Sequence, residues 1–538
     1  MHRDKSRSKA VTKTSTTHPL EISTVLLPEG NGRVGITFCP GKCDLQAHDG
    51  RWTRDLPLDL GTLRAWGANA LVTLLEDHEF DLLHVRELGD MAEAAGLEWH
   101  HLPIPDMAAP GWHFERRWLY SGTRLRRLLR RGGRVVIHCR AGLGRTGAVA
   151  ARLLVELGVP PSEAVSQVRK ARPGAIQTTE QEQHVHACRR VSANNDETVS
   201  RRLACLIGGA LGDAFGFPVT LEDLAAIQKR HGATGLREPE LRQGRLVVSD
   251  ETRMTLFTLE GLTRAMQVPN QSEHDLLAHI RLSYLDWLEC QGLGGAAGNH
   301  ATRLFKHAAL HTQRAPSKVC IQALREDAVG TPERPVNDSR ESGGVMRVAP
   351  VALMPEMNLE RSFRIGSRAA AMTHGHPDGY LPAGILAAAI HGLLEGKPLQ
   401  TAMIHAGDQA RSMPGFDPVI QRLRAAVDAS ILPYANRLPD ALGSARHSLD
   451  TLLIGFYAAG RSQDFREVMA IAANHDGDSG AAASVAGQLY GALRGIEALP
   501  NEWARRLDVL DALCDLADWA LPLWRRAAIL PARSKAAA

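Results

Sequence analysis

The chain has 538 residues, of which 44% are hydrophobic and 23% are charged, and its formal net charge at pH 7 is only +4. This length exceeds one ordinary hydrophobic core and predicts at least two globular domains. The small net charge gives no indication of nucleic-acid binding, and no uninterrupted apolar run reaches the roughly 18 residues of a membrane span.

The first part of the chain mixes strand-like and helix-like patterns. Residues 1–20 hold five Lys or Arg among Ser and Thr and predict a disordered basic tail. Residues 21–190 predict an α/β domain with a central sheet flanked by helices. Within it, Arg116–Arg131 alternates arginines with apolar residues at helical spacing. This predicts an amphipathic helix with a solvated basic face or, alternatively, a docking surface for acidic partners.

A cysteine and an arginine are separated by five residues in the loop His138–Gly147. The β-branched run Arg134–Ile137 before the loop predicts a buried strand, and Ala148–Leu157 after it predicts a helix. The loop backbone is expected to cradle an anion with its N–H groups, which belong to Arg140, Ala141, Gly142, Leu143, Gly144 and Arg145.

The side chains of this loop suit phosphoryl chemistry. A helix N-terminus favours the thiolate form of Cys139 and makes it nucleophilic. The planar fork of Arg145 can bind two phosphoryl oxygens at once. The hydroxyl of Thr146 can donate a hydrogen bond to the cysteine sulfur when it leaves.

The run His138–Thr146 resembles the signature of cysteine-dependent protein phosphatases. The segment Gly35–Cys43 resembles the entry of the compact subgroup near the cyclin-dependent-kinase-associated dual-specificity phosphatases. The resemblance implies a cysteinyl-phosphate intermediate on Cys139, with Asp106 as general acid. It also implies that Gln177 orients the hydrolytic water, with Gln181 as a weaker candidate. Phosphorylated protein, on Tyr, Ser or Thr, or a small phosphorylated molecule would be the substrate, and no cofactor is needed.

The second part of the chain has mostly helix-like patterns. Residues 191–199 are polar and without periodicity, which predicts a linker. Residues 200–530 are rich in Ala and Leu at helical spacing and predict an all-α domain, followed by a flexible C-terminus at 531–538. The eight cysteines are dispersed over the whole chain and predict reduced thiols and a cytoplasmic location.

Two acidic segments of this second domain are candidate metal sites. They are Ser249–Glu251 and Asp476–Ser479. Carboxylate and hydroxyl oxygens at helix ends suit Mg²⁺. The same pattern is also typical of ordinary helix caps.

The second domain resembles the ADP-ribosylglycohydrolase family through four segments in family order, Gly209–Gly216, Ser249–Gly261, Ser342–Pro350 and Thr373–Pro377. The resemblance implies an all-α hydrolase that holds one or two Mg²⁺ ions and acts on an ADP-ribosyl bond. The metal candidates it implies are Ser249, Asp250, Glu251, Asp476, Asp478 and Ser479.

The sequence also departs from that family. Glu251 stands where an aspartate is usual, and Thr220 stands where many members have a glutamate. In the direct register, Gly480 and Ala481 replace a metal-binding aspartate and a hydroxyl residue. A register slipped by two residues would instead use the cluster Asp476–Ser479.

Three functions remain open at this stage. The second domain could remove ADP-ribose from a modified acceptor. It could instead be a degenerate module that binds ADP-ribose or a related nucleotide and so targets or regulates the phosphatase. The whole chain could also be a non-enzymatic scaffold, which the intact phosphatase loop disfavours. Neither a membrane nor a specific nucleic acid is an expected partner.

Overall fold

The structure is a computed structural model, and it describes residues 12–27, 32–47, 50–294, 302–326, 328–432 and 438–529. The chain divides into two compact units, Met1–Asp196 and Glu197–Ala538. The predicted flexible segment 531–538 and residues 1–11 of the predicted tail lie outside the described residues.

Residues 12–20 are held by backbone hydrogen bonds and by the buried Ser15 and Leu20, which corrects the prediction of a disordered tail through residue 20. The amide of Lys13 donates to the Arg51 carbonyl at 2.9 Å, and the amide of Thr53 donates to the Lys13 carbonyl at 3.0 Å. Leu20 is 5% exposed and belongs to a hydrophobic core cluster. Backbone pairing and this one apolar anchor outweigh the polar composition of the segment.

The first unit is built on a five-stranded sheet with the order β1-β2-β7-β5-β6, accompanied by the short pair β3-β4. β1 is antiparallel to β2, and the other neighbours in the large sheet are parallel. The strands are β1 Ser23–Leu26, β2 Arg33–Phe38, β3 Cys43–Asp44, β4 Trp52–Thr53, β5 Ala70–Thr73, β6 Glu98–His101 and β7 Arg134–Cys139.

Helices cover the large sheet and complete an α/β architecture. They are α1 Leu56–Trp66, α2 Asp77–Leu82, α3 Leu88–Ala94, α4 Trp112–Arg130, α5 Gly144–Glu156, α6 Pro161–Ala171 and α7 Thr179–Ala187. The central strand β7 has five buried residues in its burial pattern and ends at Cys139. The carboxyl edge of parallel strands is where such folds bind ligands, so the topology alone puts Cys139 at a binding edge.

The basic helix α4 is only partly solvated, in contrast to the prediction. Arg124 and Arg126 are each 5% exposed. The Arg124 guanidinium contacts Glu98 at 2.5 Å, and that of Arg126 contacts Glu156 at 2.5 Å. Buried guanidinium groups require charged partners, and here carboxylates distant in the sequence provide them. Helical periodicity does not show such distant partners.

The predicted linker contains the start of a long helix, α8 Ala193–Gly216. The Ser192 hydroxyl accepts a hydrogen bond from the Asn195 amide at 3.2 Å, and Asp196 lies in the first turn. A polar run that looks like a linker is therefore a capped helix start. The stretch Ala193–Val219 is also long and apolar enough to span a membrane, but 83% of its most apolar window is buried in the protein, as in a core helix.

Apart from isolated bridges, the described part of the second unit is helical, so the predicted combination of an α/β and an all-α architecture is confirmed. Its α-helices after α8 are α9 Leu224–His231, α10 Asp250–Ala265, α11 Glu273–Cys290, α12 Lys318–Arg325, α13 Ala349–Leu353, α14 Leu359–Ala371, α15 Pro377–Leu394, α16 Leu399–Asp408, α17 Phe416–Ile431, α18 Ser448–Ala459, α19 Phe465–Ala473, α20 Ser479–Arg494, α21 Asn501–Ala504 and α22 Leu510–Ile529.

Helices α8 and α20 approach each other closely because glycines line their contact. A Cβ on Gly212 would lie 2.0 Å from the Ala483 carbonyl oxygen, and one on Gly208 would lie 2.4 Å from the Gly487 oxygen. This close packing brings Asp213, near the end of α8, to the region where α20 begins.

Candidate functional site

The first unit has a cavity of about 210 Å³ at the carboxyl end of β7. Four of the residues predicted to act in phosphoryl transfer line it together, namely Cys139, Arg145, Asp106 and Gln177. The remaining lining residues are Met107, Arg140, Ala141 and Gly144. Gly142, Leu143 and Thr146 belong to the same loop and helix start but are not among the lining residues.

The loop backbone turns around the Cys139 sulfur. The amide of Gly142 donates to Cys139 Sγ at 3.3 Å. Gly142 has φ +71°, and a Cβ there would lie 2.3 Å from the Thr37 carbonyl oxygen. Both the left-handed conformation and the close approach to β2 therefore require glycine at this position.

His138 orients the end of β7 as a neutral ring. Its Nε2 lies 2.8 Å from Thr73 Oγ1, and its Nδ1 lies 3.4 Å from the Cys139 carbonyl oxygen. Burial lowers the pKa of His138 to about 3, so the ring carries one proton. Since a carbonyl only accepts, that proton is on Nδ1 and the Thr73 hydroxyl donates to Nε2.

Arg145 is fixed by a buried carboxylate that the sequence did not reveal. Its Nη1 and Nη2 contact the two oxygens of Glu79 at 2.6 and 2.9 Å, and both side chains are nearly inaccessible. Burial alone would raise the pKa of Glu79, but the hydrogen bonds from Arg145 outweigh it and keep the pKa below its usual value. Glu79 lies 66 residues before Arg145 in a short polar helix, where nothing marks it among other acids.

Arg145 still has binding capacity left. Its Nη2 lies 3.0 Å from Asp106 Oδ1, and its Nη1 donates to the Ile104 carbonyl at 3.1 Å. Its Nε is buried and has no hydrogen-bond partner. A buried N–H without a partner is costly, so this donor suits an anion that enters the cavity.

The candidate acid Asp106 stands at the mouth of the cavity, where 62% of its side chain is exposed. The following residue, Met107, is half-exposed and has a left-handed φ of +61°. Non-glycine residues in this region of φ are strained and concentrate at functional loops.

The two candidate glutamines have different surroundings. Gln177 lines the cavity. Gln181 is fully buried, and its Oε1 accepts from the Gln177 amide at 2.9 Å, while its Nε2 donates to the Ala108 carbonyl at 3.0 Å. Gln181 thus joins the loop of Gln177 to the loop of Asp106, which corrects its candidacy as a water-orienting residue.

Two further side chains of this segment have surroundings that the sequence did not predict. The Thr146 hydroxyl is buried without a hydrogen-bond partner and so does not donate to Cys139 here. Arg140 lines the cavity, and its guanidinium pairs at 2.8 Å with Asp44, which lies 96 residues earlier in the chain.

The second unit has a larger cavity of about 540 Å³ with several acids in its wall. The predicted residues Ser249, Asp250, Glu251 and Asp478 all line it. Its other lining residues are Phe217, Thr220, Leu221, Met254, Trp287, Ala315, Ser317, Cys320, Glu341, Ser342, Gly343, Met346, Ala445, Arg446 and Gly477.

Glu251 is the acid with the most unusual environment in this cavity. Its Oε2 is buried without a hydrogen-bond partner. Burial, followed by the charges of Asp478 and Asp213, raises the pKa of Glu251 well above its usual value. Asp213 lies behind it, fully buried, with one oxygen unpartnered and a pKa that burial raises to about 6.

Asp250 is already held by other groups. Its Oδ1 accepts from Trp287 Nε1 at 3.2 Å and from Arg253 Nη1 at 3.3 Å, and its Oδ2 accepts from the Arg314 amide at 2.8 Å. These contacts make Asp250 a poorer metal ligand than its neighbour Glu251. Ser249 caps helix α10, since its hydroxyl accepts from the Glu251 amide at 3.1 Å.

Of the acids in the second segment, only Asp478 reaches this cavity. Asp478 caps α20 through the Ala481 amide at 3.1 Å and accepts a hydrogen bond from the Ser342 hydroxyl. Asp476 instead accepts from the Leu224 amide at 2.7 Å and lines a different cavity. Ser479 is fully buried and is not among the lining residues. The slipped register, which would use Asp476, is therefore wrong.

The two departures Thr220 and Gly480 contact each other. The amide of Gly480 donates to Thr220 Oγ1 at 3.1 Å, and a Cβ on Gly480 would lie 2.8 Å from that oxygen. The amide of Leu221 also donates to the Gly477 carbonyl at 2.7 Å. Protein hydrogen bonds thus join the segment of Thr220 to the loop of Asp478.

Within the described ranges, no group of three or more His, Cys, Asp or Glu side chains is arranged to hold a metal ion. Besides Asp250, the carboxylates in the cavity lining are Glu251, Glu341 and Asp478, and Glu251 has a buried oxygen without a hydrogen-bond partner. Two carboxylates, supplemented by water, are a sufficient ligand set for one Mg²⁺ ion. The ligand set for a second ion does not fit, because Thr220 and Gly480 supply no charge.

Comparisons with known proteins agree with the division into two units. The family profile of ADP-ribosylglycohydrolases matches residues 194–529, and that of the polymorphic toxin system DSP-PTPase phosphatases matches residues 53–159. The chain is 31% identical over 180 residues to cyclin-dependent kinase inhibitor 3 of Rattus norvegicus, which covers 32% of this chain and 79% of that protein.

The second unit also has curated relatives. The chain is 22% identical over 334 residues to the ADP-ribosylarginine hydrolase Tri1 of Serratia proteamaculans, covering 60% of this chain and 79% of that protein. It is 26% identical over 166 residues to the Tri1 of Pseudomonas putida, where the match spans 31% of this chain and 42% of that protein.

Replacing Glu79 by Gln should destabilise the first unit by about 3 kcal/mol, because it leaves the Arg145 charge buried without a counter-ion. Native-state hydrogen exchange of amides in β7 and α5 of the full chain would measure this locally. Asp81→Asn is the matched control, since the pair Asp81–Arg86 is solvent-exposed and should contribute little. Equal effects of the two substitutions would contradict the role given to Glu79.

Proposed function

The chain belongs to the ADP-ribosylglycohydrolase family and carries a dual-specificity phosphatase domain before that region, and we propose that it joins a cysteine-dependent protein phosphatase to a module that binds ADP-ribose. The observation that carries the first half is the shared cavity of Cys139, Arg145 and Asp106. A nucleophile, a phosphate-binding cation and an acid are the three groups that this chemistry requires.

The proposed reaction has two steps. Cys139 Sγ attacks phosphorus and forms a P–S bond, while the P–O bond to the leaving group breaks and Asp106 protonates the departing oxygen. Water then attacks phosphorus, the P–S bond breaks and the thiolate returns. Asp106 accepts a proton from that water, which Gln177 orients.

Electrostatics support both steps. Arg145, held by Glu79, presents an N–H without a partner to the charge that develops on the phosphoryl oxygens. The loop amides add further donors around the anion. The proposed substrates are proteins phosphorylated on Tyr, Ser or Thr, and no metal takes part in this half.

The second unit is proposed to bind ADP-ribose, or a related nucleotide, with one Mg²⁺ ion. Glu251 and Asp478 would hold the ion, which would offset their charge and orient the hydroxyl or phosphate oxygens of the ligand. The unpartnered oxygen of Glu251 in the 540 Å³ cavity supports this assignment. Ligand binding here would target or regulate the phosphatase, within a cytoplasmic protein.

Hydrolysis of an ADP-ribosyl bond is the second candidate function of this unit. It is favoured by the presence of Glu251 and Asp478 in the wall of one cavity. Release of free ADP-ribose from an ADP-ribosylated protein by the full chain would establish it. Binding of ADP-ribose without its release from the modified protein would support the binding function and exclude hydrolysis.

Cys139→Ser should abolish phosphatase turnover, because a hydroxyl is a far weaker nucleophile than a thiolate. Release of inorganic phosphate from p-nitrophenyl phosphate and from phosphopeptides would measure it. Cys43→Ser is the control, since Cys43 is half-buried and outside the cavity lining. Full turnover by the Cys139 variant would instead revive the scaffold function.

Asp106→Asn should lower kcat by about 10²–10⁴ on alkyl phosphates, the usual contribution of a general acid. The loss should be smaller on p-nitrophenyl phosphate, whose leaving group needs no proton. Comparing kcat for the two substrates, with Asp44→Asn as a second carboxylate variant, tests this. The same loss on both substrates would remove Asp106 from the acid role.

Mn²⁺, used as a probe for Mg²⁺, should bind the full chain with a stoichiometry of one in the second unit. Asp478→Asn should weaken this binding strongly, whereas Asp476→Asn should leave it unchanged because Asp476 caps α9 elsewhere. Electron paramagnetic resonance and calorimetry would give the number of Mn²⁺ ions bound per chain and the affinity of each variant. Two ions per chain, or sensitivity to Asp476, would contradict the one-ion site.

A further inference from the structure

Arg446 is the one basic side chain among the 19 residues that line the acidic cavity of the second unit. It is exposed, and no carboxylate in the described part of the chain forms a salt bridge with it. The other charged lining residues are Asp250, Glu251, Glu341 and Asp478. A single unpaired cation thus faces a cavity whose remaining charge is negative.

The loop that carries Arg446 is held in a strained conformation. The preceding residue, Ala445, is fully buried with a left-handed φ of +53°. Its carbonyl accepts from the Asp478 amide at 3.2 Å, and the Ser444 amide donates to Asp450 at 3.1 Å. Left-handed non-glycine residues persist only where surrounding contacts enforce them, and they cluster at ligand clamps.

Strain of the same kind recurs around this cavity. Leu221 and Ala315 also line it, with φ of +65° and +57°. Leu221 is 76% exposed and is fastened to Gly477. Three strained residues in one cavity wall indicate a shape fixed in advance of ligand binding.

The cavity therefore combines three kinds of surface. Its lining includes four acids, the cation Arg446, and apolar side chains such as Phe217, Trp287 and Met346. A sugar nucleotide with a diphosphate has matching parts, since its hydroxyls, its phosphates and its base differ in the same way. Guanidinium groups bind phosphate oxygens in pairs, with planar geometry.

We propose that Arg446 binds the diphosphate of the nucleotide ligand and makes the cavity selective for phosphorylated over unphosphorylated nucleosides. This inference rests on the proposed nucleotide-binding function of the second unit. It assigns Arg446 a binding role and no part in bond cleavage.

Calorimetric titration of the full chain with ADP-ribose in the presence of Mg²⁺ tests the proposal. Arg446→Ala should weaken binding about tenfold or more, the range of one charge-assisted contact. Arg446→Lys should recover part of the loss, because it keeps the charge but not the planar fork. Arg424→Ala is the matched control, an exposed arginine on α17 outside the cavity lining.

Two further measurements separate the possible failures. Adenosine has no phosphate, so any binding of it should be unaffected by Arg446→Ala, and an equal loss would overturn the phosphate contact. Wild-type affinity for ADP-ribose in the Arg446→Ala chain would overturn the inference alone. If the wild type binds no ADP-ribose, the proposed function fails. Titration with inorganic pyrophosphate then tests the role of Arg446 separately. The inference is overturned if pyrophosphate does not bind the wild type, or if it binds the Arg446→Ala variant equally well.

Discussion

The buried pair of Arg145 and Glu79 is the contact around which the first site is arranged. Arg145 begins its helix next to the cysteine loop, while Glu79 belongs to α2, which follows β5. The same guanidinium also contacts the Ile104 carbonyl and Asp106. One side chain therefore connects three segments of the chain, and its Nε is buried without a hydrogen-bond partner.

Gln181 complements that pair from the other side of the cavity. Its amide joins the Gln177 loop to the Asp106 loop through the Ala108 carbonyl. The exposed acid therefore stands on a segment held at both ends, by a guanidinium and by an amide. In the proposed mechanism, this arrangement combines an accessible carboxyl group with the fixed position that proton transfer requires.

The sequence was sufficient to predict the parts of the site whose geometry depends on residues close together in the chain. Cys139 and Arg145 share one strand–loop–helix unit, so their geometry follows from local structure. Glu79 could not be predicted, because its pairing depends on the sheet order that brings α2 beside α5. The sequence also could not show whether Asp476 or Asp478 lines the acidic cavity. Gly477 between them has a left-handed φ of +109°, and the two carboxyl groups line different cavities.

In the second unit, the departures from the family pattern form one coherent change. Thr220 and Gly480 are 260 residues apart in the chain, yet they share a hydrogen bond. Neither residue carries a charge, and their hydrogen bond joins the segment of Thr220 to the loop of Asp478. The oxygens of Glu251 and Asp213 nevertheless remain buried without partners, at a cost of about 1–3 kcal/mol for each such group. A ligand or cation bound in the cavity, as proposed, would give the Glu251 oxygen a partner.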